Sequence, residues 1–180
     1  MARRPQTTHF PFAERAAEVE AAHRLVLAAF EEKRRHDSEM AVRRWHAASR
    51  HYNAALENAY PAGFADAMCD LKRGDVFGLD LAIEFLEADP MFFRSGYMRE
   101  EVLRYVGRVP RSQAQNERLR RVVLQIVDRR DGRDFRRFCA LARRVDNEWL
   151  RSELERRTGG DSRSIRRRAC WMLAAMNQRL

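Results

Sequence analysis

A chain of 180 residues is long enough for one well-buried domain or two small ones. Eight Gly and five Pro leave little material for the frequent turns of an all-β fold, and no run reaches the roughly 18–20 apolar residues of a helical membrane span, so an all-α chain with no membrane partner is expected. The formal charge of +9 is uneven: residues 1–60 hold 10 basic and 8 acidic side chains, residues 61–110 hold 6 and 9, and residues 111–180 hold 19 and 9.

Residues 1–11 read as a disordered basic tail. The opening Met1-Ala-Arg-Arg-Pro lacks the apolar core of a signal peptide, and a cytoplasmic protein is expected. From Phe12 the apolar beat runs Phe12, Ala16, Val19, His23, Val26 and Phe30, alternate steps of four and three, which is a heptad seam and predicts a helix over 12–35. After His36-Asp37-Ser38, where Asp37 or Ser38 can cap, the beat resumes at Ala41, Trp45, Ala48, Tyr52, Ala55 and Ala59. Two such seams joined by a short polar link predict an antiparallel hairpin over 12–60. Its seams, with Trp45 and Tyr52 as the large groups, pack on each other or on a second copy as a homodimer.

Pro61-Ala-Gly63 ends the hairpin and marks a joint. A domain over 64–180 follows, expected to fold as one cooperative unit with the hairpin. Its helices are predicted at 64–72, 76–88 with a broad apolar face (Leu79, Ile83, Phe85, Leu86), 97–107, 113–129, 133–144 and 147–157, with a last one from Asp161 onward. Met91-Phe92-Phe93 reads as an apolar plug between helices. Ser112-Gln-Ala-Gln115 has the spacing of a capping box. Asp146 and Asp161 are the expected caps of the last two helices, with Gly159-Gly160 ending the helix between.

One phrase recurs in this domain. Met98-Arg99, Val102, Tyr105-Val106 is matched by Leu119-Arg120, Val123, Ile126-Val127 and by Ile165-Arg166, Ala169, Met172-Leu173. An apolar residue, an Arg, then apolar positions at helical spacing resembles the inner helix of HEAT-type repeats. The resemblance implies a small HEAT-like stack of about six helices, with an irregular helical bundle as the alternative, since the phrase recurs at intervals of 21 and 46 residues.

Chemistry-bearing motifs are few. Cys69, Cys139 and Cys170 are far apart and form no CxxC, so they are expected to be partly buried packing residues. Glu20-Ala-Ala-His23 has metal-ligand spacing but no second such pair. His46 and His51 point apart on a regular helix. Neither a phosphate-cradling glycine loop nor a nucleophile elbow occurs, so no cofactor or metal is expected and an enzyme would have to lack a recognisable motif. Asp75, Asp80, Glu84, Glu87 and Asp89 read as the solvated edge of an apolar helix.

The remaining constellation is arginine. Arg120, Arg121, Arg136, Arg137, Arg143, Arg144, Arg166, Arg167 and Arg168 could line one face and bridge phosphates if successive helices stack. Lys occurs only at Lys33 and Lys72, so part of this abundance is a compositional preference for Arg. Trp149 and Trp171 sit at seam-compatible positions and are expected inside. The leading expectation is an interaction module that binds a protein partner, the alternative being nucleic acid or another polyanion on the Arg-rich face.

Overall fold

The computed structural model describes residues 10–36 and 38–178. Among the described residues there are nine helices and no strand. Residues 1–9 of the expected tail and the candidate cap Asp37 lie outside them. The chain divides into two compact units, one holding the first two helices together with Asp89–Phe93, the other holding Gly63–Ala88 and the chain from Arg94 onward.

In the first unit, α1 (Phe12–Arg35) and α2 (Glu39–Glu57) form the predicted hairpin. Phe30 meets Trp45 at 6.5 Å and His23 stacks on Tyr52 at 5.3 Å. Ala16 and Val19 cluster with Ala59. One index rises as the other falls, which fixes the helices as antiparallel. Ser38 supplies the cap of α2, its hydroxyl accepting from the Ala41 amide at 3.2 Å. Only Ala41 of α2 is fully buried, and the buried residues of α1 lie in its first half, at Phe12, Ala16, Val19 and Ala22.

The Met91-Phe92-Phe93 plug is a single residue. Phe92 is buried against Ala16, Val19 and Ala59 and meets the Tyr60 ring at 5.7 Å, whereas Met91 and Phe93 are more than half exposed. Two non-glycine residues take left-handed backbone at the ends of this segment: Asp89 at φ 43° and Arg94 at φ 68°.

The second unit contains α3 (Phe64–Arg73), α4 (Leu79–Ala88), α5 (Ser95–Val106), α6 (Gln113–Arg129), α7 (Phe135–Arg144), α8 (Glu148–Thr158) and α9 (Arg163–Asn177). They correspond one for one to the seven ranges read from the sequence, where the repeat resemblance implied a stack of about six. Their packing alternates: α3 lies on α5, α5 on α7 and α7 on α9, while α4 lies on α6 and α6 on α8. Each helix thus sits beside its second neighbour, giving one row of odd-numbered and one of even-numbered helices. Contacts of α3 with α4, α4 with α5, α6 with α7 and with α9, and α8 with α9 join the rows. The core between them includes Leu71, Ile83, Phe85, Leu86, Val102, Leu119, Ile126, Phe138, Leu141, Leu150 and Met172, each of the larger side chains contributing about 1.5–3 kcal/mol by leaving water.

Local chemistry sets the helix starts, with three corrections. The Ser112 capping box forms, its hydroxyl accepting from the Gln115 amide at 3.2 Å and the Gln115 side chain accepting from the Ser112 amide at 2.9 Å. Asn147, not Asp146, caps α8, accepting from Leu150 at 2.9 Å; Asp146 is taken by Arg151 at 2.5 Å. Ser162, not Asp161, is the cap residue of α9, its hydroxyl accepting from the Ile165 amide at 3.5 Å. The helix expected over 76–88 starts at Leu79. Val76 and Phe77 stand out in solvent and Gly78 abuts α3, where a Cβ would sit 2.5 Å from the Ala67 carbonyl oxygen.

Burial corrects further expectations. Glu84 and Asp89 are buried rather than solvated, and Cys69 and Cys170 are exposed, with only Cys139 half-buried. Trp149 and Trp171 are each 47% exposed, not inside.

Candidate functional site

The second unit uses many of its arginines internally. The last carbonyls of a helix lack amide partners, and a cation near them also meets the negative end of the helix dipole. Arg120, buried on α6, donates its Nε to the Val145 carbonyl at the end of α7 at 2.7 Å. Arg168, buried on α9, donates to the Val127 and Asp128 carbonyls at the end of α6 at 2.6 and 3.2 Å. Arg144 reaches the Gly107 carbonyl at the end of α5, and Arg111 donates to Val106 and Val109 there at 2.8 and 3.0 Å. Burial and the nearby Arg144 charge both press the Arg111 pKa downward.

In two of its three copies the arginine of the recurring phrase is buried, on different kinds of partner. Arg99 is 2% exposed and donates to Asp134 at 2.6 Å, and Arg120 is the residue just described. In the third copy, Arg166 instead serves the start of its own helix through Gly160 and Asp161 at 2.7 and 2.8 Å.

The nine arginines singled out in the sequence therefore separate. Arg120 and Arg168 face inward and cannot meet an external phosphate; Arg144 and Arg166 hold main-chain carbonyls. Arg167 pairs with Asp131 at 2.6 Å. Arg121, Arg136, Arg137 and Arg143 have no hydrogen bond or ion pair among the described residues, Arg121 on α6 and the other three on α7. Trp45 and Tyr52 are both half-buried inside the hairpin, Trp45 under Lys33 at 4.1 Å and Tyr52 on His23. Burial, aided by the Glu20 charge, raises the Tyr52 hydroxyl pKa.

The geometry of α7 follows from its sequence, Phe-Arg-Arg-Phe-Cys-Ala-Leu-Ala-Arg-Arg. Phe135, Phe138, Leu141 and Ala142 fall on one side and are buried. At 3.6 residues per turn, Arg136, Arg137, Arg143 and Arg144 fall within about 120° on the other. No carboxylate shares that face, since α7 contains no acidic residue.

Two arginine and aromatic pairs flank the start of α7. On the α5 side Arg133 lies over the Tyr97 ring at 4.3 Å and pairs with Glu100 at 2.8 Å. On the α9 side Arg167 lies over the Trp171 ring at 4.9 Å. The Trp171 ring meets Phe135 edge-on, with centroids 6.1 Å apart. A groove of about 530 Å³ opens there, lined by Asp131, Gly132, Phe135, Arg136, Cys139 and Trp171. The Arg167 hydrogen bond, first among its causes, holds the Asp131 carboxyl below the usual carboxylate range. Burial pushes the Cys139 thiol up to about 11, so it is a neutral apolar wall at pH 7 and no nucleophile.

The alternation of helices also sorts charge. In the odd row, α7 and α9 each carry four arginines and no acid, and α3 and α5 each carry two bases and two acids. In the even row, α4 has three acids and no base, α6 four arginines and two acids, and α8 three of each. The odd row thus has a formal excess of eight positive charges and the even row an excess of one negative charge. The α4 acids meet the even row's own Arg118, which bonds Glu87 at 2.7 Å and Asp80 at 3.2 Å.

Tyr97, Arg133, Phe135 and Trp171 were not among the sequence candidates. A helical wheel holds the signal for Trp171. It precedes the buried Met172 by one residue, which turns it about 100° away from that face and places it one turn after Arg167. Comparison with protein-family models, with curated proteins and with solved structures yields no match.

Proposed function

We propose that the second unit is a non-enzymatic module that binds nucleic acid on the face formed by α5, α7 and α9. The observation that carries this reading is that Arg136, Arg137 and Arg143 project from one side of α7, which holds no acid of its own, and form no ion pair among the described residues. Unpaired guanidinium groups in a row meet phosphates and release counterions. Nearby acids support the reading, since Glu100, Asp131 and Asp134 are each held by an arginine. The alternation of two helical rows supports the HEAT-like resemblance as well, with α7 and α9 as successive members of one row.

Fluorescence anisotropy of a labelled oligonucleotide across a salt series tests this. Changing Arg136, Arg137 and Arg143 together to Ala weakens binding and lowers the slope of log K against log salt by about 2–3. Removing Arg24, Arg35 and Arg50 from the hairpin, an equal loss of charge, leaves the slope unchanged. Binding that ignores salt, or that survives the α7 variant intact, overturns the reading.

A second reading concerns the hairpin, which leaves Leu25 (56%), Leu27 (52%), Phe30 (44%) and Met40 (59%) exposed. Helix α1 holds five acidic and five basic residues, so a second copy meets no net repulsion and a two-fold contact can be self-complementary. Sedimentation velocity separates the outcomes: a dimer that dissociates on Leu25→Glu with Leu27→Glu supports a homodimer through the hairpin. A monomer at high concentration removes it.

A further inference from the structure

We propose that the groove between Phe135 and Trp171 receives one unstacked base of a single-stranded nucleic acid, which makes the α7 face prefer single strands to duplex; this rests on the nucleic-acid reading above. The groove has the requirements of a base site. Its volume of about 530 Å³ falls in the range of roughly 300–1,000 Å³ of small-ligand pockets. Its walls are a buried phenyl ring, a 47% exposed indole and a neutral thiol, so a flat apolar ring gains there what a phosphate or a sugar does not.

The edge-on contact of Phe135 with Trp171 (interplanar 65°) makes a corner rather than a closed sandwich, and Arg167 already lies over the indole. A base entering the corner extends an existing cation and ring stack, the arrangement on which single strands are held. The polar rim fits as well. Arg136 lines the groove and forms no ion pair among the described residues, so the phosphate of the inserted nucleotide meets it at the mouth. Asp131, the one acid on the rim, is neutralised by Arg167 at 2.6 Å with Arg168 at 4.0 Å.

Space at the mouth is set by sequence: a Cβ on Gly132 would collide with Arg130 Nη1 at 2.8 Å and Asp134 Oδ1 at 2.9 Å. A larger residue there requires the Arg130 and Asp134 side-chain ends to shift. A duplex keeps its bases stacked, and delivering one to a recessed corner costs unpairing that a single strand does not incur.

The test uses the full chain with Trp45→Phe and Trp149→Phe, which leaves Trp171 as its tryptophan. It is titrated at low salt with oligothymidylate of about 15 nucleotides and with a duplex of the same length. Quenching of Trp171 emission by the single strand and not by the duplex is the expected result. Trp171→Ala lowers single-strand affinity by about 5- to 150-fold, leaves duplex affinity within about twofold, and is largely rescued by Trp171→Phe. Single-strand binding with unchanged emission and no loss in Trp171→Ala overturns the groove while leaving the arginine face standing. Failure of both oligonucleotides to bind overturns the reading on which the groove rests, and the groove with it.

Discussion

Arg168 and Val127 are joined by a buried hydrogen bond of 2.6 Å, from the guanidinium Nε on α9 to the carbonyl near the end of α6. The adjacent Arg167 points the other way, over Trp171 and onto Asp131. One residue of sequence separates a structural arginine from a surface one.

This pair predicts unequal costs. Arg168→Ala leaves the Val127 and Asp128 carbonyls without their donor and removes a buried side chain, for a loss of about 2–3 kcal/mol. Arg167→Ala breaks an ion pair that is about half exposed and costs under about 1 kcal/mol. Urea unfolding of the two variants should rank them in that order, and equal midpoints would show that the buried bond contributes no more than the exposed one.

Asp134 is a buried carboxylate of the second unit that meets two arginines. It is 2% exposed and accepts from Arg99 at 2.6 Å and from Arg130 at 2.8 Å. Burial pushes its carboxyl up, but the hydrogen bonds from Arg130 and Arg99, with their charges, outweigh burial and hold it below the usual range. Asp134→Ala leaves the fully buried Arg99 without this carboxylate and should cost about 3–5 kcal/mol, read by thermal or urea unfolding.

The same group sets an acid limb. A carboxylate whose folded pKa is depressed contributes stability that is present above its unfolded value of about 3.9 and is lost as pH falls through the folded value. Glu153 acts in the same direction, held down to about 2 by hydrogen bonds from Arg156 and Arg157. Stability should therefore be level near neutrality and fall below about pH 4. In the Asp134→Asn variant the acid limb should be shallower, and a limb of unchanged slope would remove Asp134 as its source.

Gly78 tests the packing of α3 on α4. A methyl group there would lie 2.5 Å from the Ala67 carbonyl oxygen and 2.6 Å from its Cβ, and neither atom belongs to a flexible side chain. Gly78→Ala should cost about 1–3 kcal/mol by forcing the two helices apart. Gly96→Ala, with open space around its Cβ, should be neutral or slightly stabilising. Differential scanning calorimetry of both variants distinguishes close approach from a general glycine effect.

Sequence alone determined the helical elements, because their signals are local. The seam from Phe12 to Phe30 set α1, whose bounds are Phe12–Arg35, and the Ser112 and Gln115 spacing set the start of α6. Caps were less legible where two candidates adjoin. Asp146 and Asn147, or Asp161 and Ser162, carry equally suitable side chains; in the first pair Arg151 takes the Asp146 carboxylate and Asn147 caps.

The division of the arginines was decided only by tertiary structure. Arg120 and Arg121, or Arg167 and Arg168, are chemically identical side chains in one helix, and nothing local says which will meet the end of another. That depends on where α7 ends beside α6 and where α6 ends beside α9, a contact across 25 residues for Arg120 and 41 for Arg168. The excess of Arg was written in composition, but the meeting of the arginine-rich α7 and α9 follows from which helices pack on which.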